Sequence, residues 1–137
     1  MSTLNGSCLC GNVQYSTLAV PLMTAVCHCK DCQKQSGSAF SVNVVVPADG
    51  FEVQGQSLSS YSSKGGSGLP VQRFFCSHCG SALYTSLMAM PGLFAVKAGT
   101  LSDASTLTPA LNMWCASAQP WVAIDRDVAC YEHAVTE

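Results

Sequence analysis

The chain is expected to form a mainly β domain, and three observations lead there. Short segments alternate apolar and polar side chains with period two, their connections are rich in glycine and serine, and a helical period is almost absent. At 137 residues, with 48% hydrophobic and 10% charged side chains, residues 1–137 have the size of one domain and enough apolar surface to build its core.

The elements are justified in chain order. Strands are expected at 12–16, 39–46, 51–54, 71–76, 82–85 and 93–97, where the alternation is clearest. Within 39–46, Phe40, Val42, Val44 and Val46 share one face while Ser41 and Asn43 share the other, as in a half-buried strand; Val45 departs from the pattern. Residues 30–36, stopped by Gly37, read as one or two helical turns, and 102–105 as another. The Gly/Ser run 62–68 has nothing to bury and reads as an exposed hairpin loop. Cys-x-Cys occurs at Cys8/Cys10 and at Cys27/Cys29, too few copies for a repeat.

Charge excludes several functions. Six basic residues against eight acidic ones give a net charge of −2, and the basic residues are scattered along the sequence, so there is no footprint for nucleic acid. No apolar run approaches the ~18 residues of a spanning helix, so no membrane partner is expected. The N-terminus has neither the basic start nor the apolar centre of a signal peptide, which predicts a cytoplasmic protein. In a reducing compartment, nine cysteines point to metal or catalysis before disulfides.

Seven of the nine cysteines fall in three tight groups: Cys8 and Cys10; Cys27, Cys29 and Cys32; Cys76 and Cys79. Residues i and i+2 of a strand share a face, as do i and i+3 of a helical turn, so each group can converge on one ion. Cys76-Ser77-His78-Cys79-Gly80 has the form of a zinc knuckle, in which glycine lets the turn reverse. Two pairs make a closed four-thiolate site and the triplet leaves one position open, which is the distinction between structural and catalytic zinc. Cys8, Cys10, Cys76 and Cys79 are therefore assigned to a structural Zn²⁺, and Cys27, Cys29 and Cys32 to a reactive one. The competing readings are an iron–sulfur centre, and two structural ions with His28, His78 or His133 as the last ligand. Cys115 beside Trp114, Cys130 beside Tyr131, Trp121 and the Phe74-Phe75 pair read as core.

Taken together, Gly6-Ser7-Cys8-Leu9-Cys10-Gly11-Asn12-Val13, the Cys27 to Gln33 run, Phe75-Cys76-Ser77-His78-Cys79-Gly80-Ser81, Lys97-Ala98-Gly99-Thr100-Leu101 and Pro120-Trp121 resemble the glutathione-dependent formaldehyde-activating enzyme family. The resemblance implies an Mss4-like small β-sheet fold with two zincs, the four-cysteine site structural and the three-cysteine site catalytic. It also implies a carbon–sulfur lyase activity on a glutathione-like thiol and a small aldehyde such as formaldehyde. Two positions depart from the family pattern: Asn112 stands where many relatives have histidine, and Ala118 where lysine is frequent. Three thiolates and Zn²⁺ sum to −1 and leave room for a substrate thiolate at the open position. The segment that follows the triplet, with Gln33, Ser36, Gly37 and Ser38, is the nearest candidate to contact substrate and the developing alkoxide. From another class, a non-catalytic zinc-stabilised binding or chaperone-like module fits the same cysteines. A sulfoxide-reductase-like enzyme with Cys115 as nucleophile is disfavoured by the apolar setting of that residue. The sequence carries no signature of an oligomeric state.

Overall fold

The structure is a computed structural model that describes residues 4–134. Eleven strands and one α-helix succeed one another: β1 Leu4–Ser7, β2 Gln14–Thr17, β3 Met23–Cys27, α1 Lys30–Ser36, β4 Ser41–Pro47, β5 Glu52–Gln54, β6 Leu58–Lys64, β7 Pro70–Cys76, β8 Ala82–Leu87, β9 Leu93–Lys97, β10 Leu111–Met113 and β11 Ala129–Cys130. Two sheets result. A three-stranded one has the order β1-β2-β5, and an eight-stranded one the order β11-β10-β3-β4-β9-β8-β7-β6. All pairings are antiparallel except β10, which runs parallel to both β3 and β11. A bridge between Gly6 and Leu101 joins the small sheet to the turn that follows β9.

The register of the large sheet sorts its two faces. Phe74 pairs with Tyr84, Tyr84 with Val96 and Val96 with Val44, so these four point to one side. There they meet Tyr15 and Phe51: Phe74 and Tyr84 stack with centroids 4.5 Å apart, Phe51 lies 5.0 Å from Tyr84, and Tyr15 stacks on Phe51 at 5.4 Å. With Val13, Val46 and Leu83 they form the apolar core between the sheets. The opposite face carries Arg73 beside Thr85, Lys97 beside Asn43, and Ser41 beside Cys27. These polar residues are not solvated. Ser41, Asn43, Thr85 and Arg73 are all buried, so β4 is covered on both sides and is not the half-buried strand that its alternation suggests. Val45, the residue that departed from the pattern, is buried on this second face.

Helix α1 starts and stops where the sequence indicates. Its last turn closes on Gly37, whose φ of 72° is left-handed and whose N–H donates to Gln33 O. Residues 102–105, expected to be helical, instead form a turn in which Asp103 Oδ1 accepts from both the amide and the hydroxyl of Ser105. The short 3-10 turns lie at Ala98–Thr100 and Cys115–Ser117. No helix among the described residues is long and apolar enough to cross a membrane.

Candidate metal centre

Four cysteine sulfurs from two turns far apart in the sequence converge. Cys8 and Cys10 sit in the turn between β1 and β2, while Cys76 ends β7 and Cys79 lies in the turn before β8. Each turn reverses through a glycine in the left-handed region, Gly11 at φ 83° and Gly80 at φ 84°. The four Sγ atoms lie within 4.8 Å of one another, with Cys8 to Cys10 at 3.6 Å and Cys10 to Cys76 at 3.8 Å. Thiolates bound at ~2.3 Å around a tetrahedral Zn²⁺ stand about 3.8 Å apart, so the spacing fits such an ion. Its surroundings supply donors suited to thiolates. Val13 N–H points at Cys8 Sγ (3.3 Å), Ser57 Oγ lies 3.2 Å from Cys76 Sγ, and Ser81 Oγ lies 3.2 Å from Cys79 Sγ. The Ser81 hydroxyl, helped by the amides of Ser81 and Cys10, holds the Cys79 thiol down at about 5.

The remaining cluster is built differently. Cys27 is the last residue of β3, and Cys29 and Cys32 belong to the first turn of α1, where Cys29 Sγ accepts the Cys32 N–H at 3.2 Å and so caps the helix. Their sulfurs also lie within 4.8 Å of one another, and among the described residues no histidine or carboxylate joins them. Hydrogen bonds from Cys27 and then Cys32 pull the Cys29 thiol down to about 2, while donating to Cys29 and Cys32 pushes the Cys27 thiol up. The three thiols are thus linked to one another, with negative charge favoured at Cys29 and disfavoured at Cys27 and Cys32. The histidines considered as extra ligands are placed elsewhere: His28 is buried with Nε2 3.0 Å from Asn112 Oδ1, His78 is exposed, and His133 packs edge-on against Trp114.

A family model described as glutathione-dependent formaldehyde-activating enzyme matches residues 3–117, a span that includes all seven clustered cysteines. The chain belongs to the glutathione-dependent formaldehyde-activating enzyme family. A Halomonas elongata protein provisionally named as such an enzyme is 30% identical over 127 residues, covering 89% of this chain and 81% of its own length. A crystal structure of a Rhodobacter sphaeroides protein superposes with a TM-score of 0.59 at 16% identity, covering 92% of this chain and 98% of that one, a likeness of fold. Pro120-Trp121, part of the resemblance, lies beyond the matched span.

Around the three-cysteine cluster, this family member places residues to which the sequence reading gave no role there. Lys97 and Arg73, far apart in sequence, reach the same sheet face as Cys27. Lys97 Nζ donates to Ser41 Oγ and Asn43 Oδ1, both at 2.9 Å, and Arg73 donates to Ser63 Oγ at 2.8 Å while its other terminal nitrogen lies 3.9 Å from Asp31 Oδ2 on α1. The positive charge of Arg73 is felt by Cys29 and that of Lys97 by Cys32. The register could not be read from the sequence, and without it the basic residues look scattered.

The four residues expected to contact substrate run from within α1 to just past its end. Gln33 sits directly after Cys32 and its amide donates to His28 O (2.7 Å) and Ser117 O (3.1 Å), while Gln119 donates to its Oε1 (2.8 Å). Gln33 thereby clamps the C-terminal segment over α1. Ser36, Gly37 and Ser38 lie at the far end of the helix, where Ser36 Oγ accepts the Ser38 N–H at 3.1 Å. Asn112, one of the two departures from the family pattern, is buried and serves as the partner of His28.

Two expectations about the C-terminal segment are overturned. Cys115 and Cys130 are not separate core residues: they form a disulfide with Cα atoms 6.3 Å apart, across a separation of 15 residues. The bridge staples the turn after β10 to β11, because β10 and β11 run parallel and bring the two ends together. It also removes Cys115 as a free nucleophile. Such a bridge is uncommon in a reducing compartment. Trp121, expected in the core, is 75% exposed because it follows Pro120 in a segment without regular structure.

Proposed function

We propose that the chain is a zinc-dependent carbon–sulfur lyase of the cytoplasm, which joins a glutathione-like thiol to formaldehyde or another small aldehyde as an S-hydroxymethyl adduct, or releases it. The observation that carries this reading is the unequal pair of cysteine groups. Four sulfurs complete one tetrahedral site, and three sulfurs with no further side-chain donor among the described residues leave the other incomplete. The family name supports the choice of substrates.

When bound by Cys27, Cys29 and Cys32, a zinc ion supplies Lewis acidity and an exchangeable position at which a thiol is held as thiolate at neutral pH. The protein fixes the geometry. Cys27 is anchored by the β3–β4 pairing, and Cys29 and Cys32 by the cap of α1, so the three sulfurs keep one orientation without help from substrate. In the forward direction the C–S bond forms, the carbonyl π pair moves onto oxygen, and the proton given up by the thiol is made good on that oxygen; release reverses each change. In this proposal the oxygen is met by the Gln33 to Ser38 segment, with the hydroxyls of Ser36 and Ser38 as donors and Gly37 leaving room beside them.

The test is formation of the adduct from glutathione and formaldehyde by the zinc-loaded protein, followed against the spontaneous reaction. Acceleration is expected, and Ser36→Ala or Ser38→Ala is expected to lower kcat by about tenfold or more, the scale of a lost oxyanion donor. Wild-type rates in both variants remove the donor from this segment. No acceleration by the unmodified protein leaves the zinc-stabilised binding module as the better reading.

A further inference from the structure

Lys97 enters the polar face of the large sheet and donates to two neutral partners, Ser41 Oγ and Asn43 Oδ1. Its register places it there firmly: Lys97 pairs with Asn43, and Ser41 pairs with Cys27 on the same face, so the ammonium that reaches back to Ser41 lies toward the cysteine row. Lys97 is only partly exposed, and burial works against its charge, a cost that a nearby anion offsets. Among the described residues no carboxylate pairs with it. Among the described residues the ion pair within 4.0 Å joins Arg73 to Asp31, so that aspartate is already taken. The charged groups that face Lys97 are the sulfurs of Cys32 and Cys29 from α1 and of Cys27 from β3, together with Arg73 from β7. Two of its three N–H donors are used by Ser41 and Asn43, which leaves one for that side.

We propose that Lys97 is the counter-cation of the three-cysteine centre and makes its open position selective for an anionic sulfur. The inference rests on the reading of that centre as an open metal site and names what tunes it. Three thiolates and a divalent ion sum to −1, and Lys97 brings the local sum to zero. An incoming thiol loses its proton to solvent and joins a neutral centre, where without Lys97 it would join an anionic one. Arg73 acts on Cys29 from β7 and is shared with Asp31 at 3.9 Å, so it adds to the field of Lys97 without taking its place. Lys97 is a positioning residue in this account, since it acts on the substrate through the charge of the site. Ser41 and Asn43, polar residues buried on a sheet face, then have a function: they hold the ammonium in place.

The test uses the full chain with cobalt exchanged into the metal sites, and follows ligand binding by the sulfur-to-cobalt absorption. The probes are 2-mercaptoethanol, whose only ionising group is its thiol, glutathione, and imidazole as a neutral ligand. Lys97→Gln is expected to weaken both thiols by about tenfold or more at neutral pH, the effect of one unit charge acting through a partly buried site. Imidazole binding is expected to stay unchanged, and Lys97→Arg to recover most of the thiol affinity. Lys97→Met removes the charge without burying a polar end and serves if the glutamine variant fails to fold. Equal thiol affinity in the wild type and in the uncharged variants overturns the proposal alone, as does a parallel loss of imidazole. A wild-type protein that takes up neither thiol overturns the open-site reading together with it.

Discussion

Cys76→Ser is expected to leave a chain that does not fold. Cys76 has no exposed surface, ends β7, and belongs both to the apolar core and to the four-sulfur cluster. That cluster is what fastens the β1–β2 turn to the β7–β8 turn, across 66 residues between Cys10 and Cys76. Structural zinc contributes on the order of 10–16 kcal/mol in small zinc domains, against roughly 5–15 kcal/mol of total stability for a typical fold. Loss of one ligand therefore removes an amount comparable to the whole margin, and it does so at a site where the vacated space is buried. Circular dichroism with thermal melting checks this. The variant should show no cooperative transition, and the wild-type protein stripped with a strong chelator should behave alike. A Cys76→Ser protein that melts cooperatively near the wild-type temperature contradicts the structural role.

Cys29→Ser is expected to do the opposite, leaving the fold and abolishing activity. Serine is a good helix N-cap, so the bond from the Cys32 N–H to the side chain at position 29 is kept in kind and α1 stays capped. What is lost is one of three sulfurs, and with it the retention of metal at the open site. Turnover should fall to the spontaneous rate, metal content should drop from two ions to one, and the melting temperature should stay within a few degrees of wild type. Retained turnover would show that chemistry does not pass through the triplet. The contrast between positions 76 and 29 separates an enzyme from a zinc-stabilised binding module, for which the two groups would matter alike.

Much of this was legible in the sequence for a simple reason: chelation needs several ligands at short spacing, and such spacing survives in the linear text. Helix α1 was equally visible, since Gly37 marks its end. Strands were found where alternation exists, and β1, β3, β6, β10 and β11, which are short or lack it, were not. β3 shows no alternation because it has buried residues on both faces, while β6 is an exposed edge rich in serine that borrows its order from β7. Residues 102–105 misled because Asp and Ser favour an Asx turn as readily as a helix start. Lys97 and Arg73 were given no role at the cysteines because their place there depends on strand order β3-β4-β9-β8-β7, which no local pattern encodes. The disulfide was missed for the same cause, since it follows from the parallel pairing of β10 with β11.

Metal analysis combined with X-ray absorption at the zinc edge, before and after addition of glutathione, addresses the central claim most directly. The account predicts two zincs per chain sharing the seven clustered protein sulfurs, with one more sulfur entering the coordination when the thiol is added. A single zinc, or two zincs each already held by four protein ligands and indifferent to the thiol, would contradict it.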